Sequence, residues 1–210
     1  MTGRFSVCLA FAFSLVPTGA IAHDDAALKQ EKLGQVSFSV SCSAEAQRRF
    51  HRAMALYHSF YWSEAQKAFR SVLAADPDCA MAQWGLALNA LENPFAWPGI
   101  PRMAEAAGEL AKAKAMGAKT QRERDYIAAL DAFFRDADKL PHKVRHDAFE
   151  RAMAQVAQTY PHDTEAQVLY ALVLTANYDP TDKKYTKQLA AARILEPIFV
   201  KLPEHPGVAH

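Results

Sequence analysis

Glycine is scarce in this chain, at 8 of 210 residues, and polar–apolar alternation is almost missing. Strands need that alternation and their tight turns need glycine, so a sheet protein is excluded. No glycine-rich loop is present to cradle a phosphate, and neither G-x-S-x-G nor H-E-x-x-H occurs. The signatures of the familiar hydrolases are therefore absent; Glu92, Asp125 and Asp131 could meet in space as a glycosidase-like carboxylate pair, but they read as solvating or capping acids. An excess of one charge is also missing. Lys and Arg number 24 against 23 Asp and Glu, and the signs are interspersed. That balance leaves no basic footprint for nucleic acid and no polybasic membrane patch. Long apolar runs are lacking too. The one candidate, residues 5–16, is too short to span a bilayer.

What is present starts with an export signal. Residues 1–22 read as a secretory signal peptide: Arg4 opens it, the apolar run follows, Pro17 and Gly19 break it, and Ala20-Ile21-Ala22 offers a small-residue cleavage site. The mature chain then begins at His23 in the periplasm or outside the cell. It keeps Cys42 and Cys79, which an oxidising compartment is expected to join as a disulfide.

Residues 23–43 form a polar lead-in that carries Val36, Phe38 and Val40, suited to one extended segment laid on the first hairpin. From residue 44 to 210 the apolar residues recur at helical spacing. Eight helices are expected, over residues 44–60, 63–75, 80–91, 103–116, 121–134, 142–160, 164–177 and 186–202. A ninth starts at His205-Pro206-Gly207. Ser43 and Asp163 serve as N-caps, Thr120-Gln121-Arg122-Glu123 as a complete capping box, and Gly117 as a C-cap. Pro197 falls inside the eighth helix and is expected to kink it.

The helix stops repeat. Pro77, Pro161 and Pro203 are separated by 84 and 42 residues, and the midpoint of the longer gap falls at Lys119, between Gly117 and Thr120. One spacing for four boundaries is the mark of stacked helical hairpins. The fold class expected is all-α, a right-handed solenoid of antiparallel helix pairs. Its last helix lacks a body and a polar cap, so the repeat domain reads as truncated at its C-terminal end.

Residues 46–79 span the length of a tetratricopeptide repeat, with Ala53, Ala65, Phe69 and Pro77 at that motif's small, small, aromatic and proline positions. Leu33-Gly34-Gln35-Val36-Ser37-Phe38, His58-Ser59-Phe60, Asp76-Pro77-Asp78-Cys79, Trp84-Gly85 and His205-Pro206-Gly207 extend the likeness. The chain resembles exported bacterial tetratricopeptide-repeat proteins. That resemblance implies a helical-repeat fold and export, and no particular activity.

Repeat stacks of this kind bind ligands on the concave face lined by the first helix of each pair. Tyr57, His58, Trp84 and Tyr126 lie on those helices and are the candidate binding residues. Phe95 and Trp97 join them on a loop stiffened by Pro94, Pro98 and Pro101. The function expected is an exported scaffold that binds a protein or peptide without catalysis and without a cofactor. The alternative is a periplasmic metal- or small-ligand-binding protein, possibly enzymatic, using His58 and the His205/His210 segment, imidazole being a common metal ligand.

Overall fold

A computed structural model of the protein describes residues 32–95 and 100–210, apart from the side chains of Ile100 and Pro101. The signal-peptide reading and Trp97 lie outside the described residues. Those residues hold nine helices and no strand: α1 (Ala44–His58), α2 (Trp62–Ala75), α3 (Ala80–Ala90), α4 (Ile100–Met116), α5 (Gln121–Phe134), α6 (His142–Thr159), α7 (Thr164–Ala176), α8 (Thr186–Lys201) and α9 (Pro206–Ala209). Each packs on its neighbours in chain order. The odd-numbered helices α3, α5, α7 and α9 open at Ala80, Gln121, Thr164 and Pro206, about 42 residues apart, which is the spacing of the helix stops.

Local chemistry sets these boundaries. The Ser43 side chain accepts from the Ala46 amide and opens α1. Thr120 and Glu123 form the reciprocal capping box of α5. Asp163 accepts from the amides of Glu165 and Ala166 and opens α7. Gly117, with φ 72°, follows the end of α4. Helix α4 begins at Ile100, three residues before the expected start, because Pro101 in a first turn gives up only an amide that would be orphaned anyway. Pro197 lies within α8.

Helices on the inside differ from those on the outside. Every residue of α3 is buried, and most of α7 is too, so these helices are enclosed on nearly all sides and bury Gln83, Asn89 and Glu165 along with their apolar residues. Helix α2 buries one stripe of Ala65, Phe69 and Val72, and α8 fully buries only Ala191. The α2–α3 contact is close enough that a Cβ on Gly85 would stand 2.2 Å from the Phe69 ring. A glycine there lets the two helices meet.

The extended lead-in does more than lie on the first hairpin. Phe38 is fully buried, with its ring centroid 5.3 Å from Phe50, 5.7 Å from Trp84 and 4.9 Å from Tyr126. It therefore touches α1, α3 and α5 at once. Glu123 accepts from the Ser41 amide and hydroxyl, and Arg122 donates to the Ser39 carbonyl while stacking on Phe38 at 4.6 Å. The Gln35 amide reaches the Glu204 carbonyl just before α9, at 3.0 Å. The segment is a strap across the inner helices. Cys42, at its end, is disulfide-bonded to Cys79, which precedes α3.

Candidate functional site

Two of the expected histidines converge, and a residue with no evident signal in the sequence joins them. His58 is the last residue of α1, Glu165 the second of α7, and His205 the residue before α9. His58 Nε2 lies 2.9 Å from Glu165 Oε2, and His205 Nε2 lies 2.6 Å from Glu165 Oε1. The two imidazole centroids are 5.3 Å apart. All three side chains are buried, Glu165 completely.

The local fold explains how a carboxylate survives there. Burial pushes the Glu165 carboxyl up, but the His58 and His205 rings beside it reverse that and hold it at about 2. Helix polarity helps, since an acid suits the first turn of α7 and a basic ring the last turn of α1. Burial and the Glu165 charge together push the neighbouring Tyr57 hydroxyl far up, so it stays protonated. Gly207 completes the cluster. A Cβ on it would sit 2.5 Å from His58 Nδ1 and 2.8 Å from Val168, so glycine is what lets the turn of α9 press His205 into place.

Beside this cluster runs an apolar cleft in two lobes that share Tyr57 and Leu172. One lobe, walled by Trp84, Leu88, Tyr126, Phe149 and Leu172, is narrow, with about 20 Å³ open to a water-sized molecule. The other, with about 70 Å³ open to a water-sized molecule, is bordered by His58, Phe60, Phe95, Leu172, Gly207 and His210. The Trp84 indole N–H is buried with no hydrogen-bond partner among the described residues.

The expected binding residues are thus only partly where a concave groove would put them. Tyr57, His58, Trp84 and Tyr126 are buried rather than displayed. Their polar tips turn inward: the Tyr126 hydroxyl donates to Asp163, which also takes Arg122, and His58 meets Glu165. The strap explains this, because Phe38 already covers Trp84 and Tyr126. Tyr57, Trp84 and Tyr126 remain as cleft walls. Phe95 is 52 % exposed at the edge of the second lobe. His210 stands apart from the trio, with its ring 5.1 Å from Phe60 and Nδ1 2.9 Å from the Pro206 carbonyl.

The chain's H-x-x-x-H spacing belongs elsewhere. His142 and His146 stack on each other and on Phe133, at the opposite end of α5 from the cap. Glu165 carries no comparable signal, since an acid in the first turn of a helix is the commonest capping pattern. No protein-family model, curated protein or solved structure matches this chain.

Proposed function

We propose that this chain is an exported, tetratricopeptide-like helical-repeat module that binds a protein or peptide segment at the rim of its cleft, beside Phe95. The strap carries this reading. Residues 36–41 are themselves an extended stretch held by the inner helices, anchored by one aromatic side chain among Phe50, Trp84 and Tyr126. The cleft beside it has the same kind of aromatic and aliphatic lining, from Trp84, Leu88, Tyr126 and Phe149. Phe95, half exposed, supplies an aromatic contact at the rim. The Cys42–Cys79 disulfide suits an oxidising compartment, and among the described residues no helix is long and apolar enough to cross a membrane.

Peptide display against the mature protein tests this. Selected sequences should carry aromatic or aliphatic anchors on alternate residues. Leu172→Arg, which puts a charged side chain into both lobes at a half-buried position, should weaken them at least ~10-fold with little change in melting temperature. Failure to enrich any sequence, or equal binding to the Leu172→Arg protein, overturns the proposal.

A further inference from the structure

The geometry assigns a binding site for one first-row divalent transition metal, of the zinc class, to His58, Glu165 and His205. Three donors from three separate elements bring their ligating atoms within 4.8 Å of one another. A cation that holds nitrogen and oxygen at 2.0–2.2 Å spaces its ligands about 3.3 Å apart. The two His–Glu spacings, 2.9 and 2.6 Å, are both shorter than that value, so the side chains must part slightly to admit the ion. The donor set is two imidazoles and one carboxylate. That set suits zinc and its neighbours; calcium and magnesium prefer all-oxygen shells. It contains no thiolate, and the chain's described cysteines are paired with each other.

His205 is buried, yet its Nδ1 has no partner among the described residues. Its ring is oriented at the Nε2 end alone, which is the end a cation would occupy. The glycine at 207 is required by the same packing that brings His205 to Glu165. The second cleft lobe, bordered by His58, Gly207 and His210, reaches one of the three donors, His58.

The test uses the mature protein exported through an oxidising compartment, stripped with a chelator and titrated with zinc. One equivalent should bind and raise the melting temperature. X-ray absorption of the zinc-loaded protein should give two imidazoles and a carboxylate at zinc. Glu165→Gln and His205→Gln should each weaken zinc at least ~10-fold, while His142→Ala, outside the set, should not. No stoichiometric zinc overturns the assignment. So does a zinc shell without two imidazoles, or loss of zinc in the His142→Ala protein. If the buried variants do not fold, the absorption spectrum of the native protein and the His142→Ala titration still decide. Peptide binding is read separately, so the two proposals fail independently.

Discussion

His146 shows how a single buried ring makes stability depend on pH. Burial is the main reason its imidazole is pushed down to about 4, with His142, Lys187 and Lys143 adding like charge against Asp147. Between pH 6.5 and 4 the unfolded chain takes up a proton there that the folded chain refuses. Stability attributable to this residue is therefore intact above pH 6.5 and declines as pH falls, by roughly 2 to 3 kcal/mol at pH 4. Urea melts of the native and His146→Gln proteins across that range should converge as pH falls. Parallel profiles would remove the effect. Glu165 illustrates the opposite side of residue-level reading. In the sequence it is one acid near a helix start; its two partners are 107 positions before it and 40 after it. Chain spacing carries no information about contacts made across three helical pairs, whereas His58 and His205 stand out as basic rings at helix ends.

At the scale of elements, the stops and caps were readable because they rest on local chemistry. Pro77, Gly117, Thr120, Asp163 and Pro206 act within a turn or two of themselves, and the helices begin and end beside them. The start of α4 was harder, since a proline is compatible both with a loop and with a first turn. The facing of the helices was harder still. Tyr57, Trp84 and Tyr126 have the amphipathic chemistry of a groove, but the neighbours that bury them come from the strap and from helices two pairs away. The α2–α3 contact is testable in a single position. Gly85→Ala should destabilise the protein by about 2–3 kcal/mol, because the new methyl enters the Phe69 ring. Phe69→Leu in the same chain should recover part of that loss, measured as a double-mutant cycle by chemical denaturation. Simple additivity would show that the two sites do not meet.

At the scale of the molecule, the disulfide fixes the strap to the first inner helix pair. Cys42 and Cys79 are separated by 37 residues, so closing that loop stabilises the fold by about 4 kcal/mol on the chain-entropy account. Denatured, unreduced mature protein should offer no thiol to a labelling reagent. The Cys42→Ser, Cys79→Ser protein should lose stability on that order without losing its helical spectrum. Two labelled thiols in the native protein would contradict the bond. The pairing was expected from the compartment, and the strap's place across the inner helices was not, because period-two patterning says which residues point the same way and nothing about what receives them.

The strap's bond to Glu204 and the meeting of α1 with α9 at Glu165 give this stack a kinetic character. Hairpins that touch only their neighbours can fray from an end, one unit at a time. Here the strap and α1 hold α7 and the turn into α9 through contacts more than a hundred residues apart along the chain. Closing those contacts costs loop entropy before any reward is collected, so refolding should be slower than the local helices alone would allow. Unfolding, in turn, should release both ends together as one cooperative event rather than as a progressive unzipping.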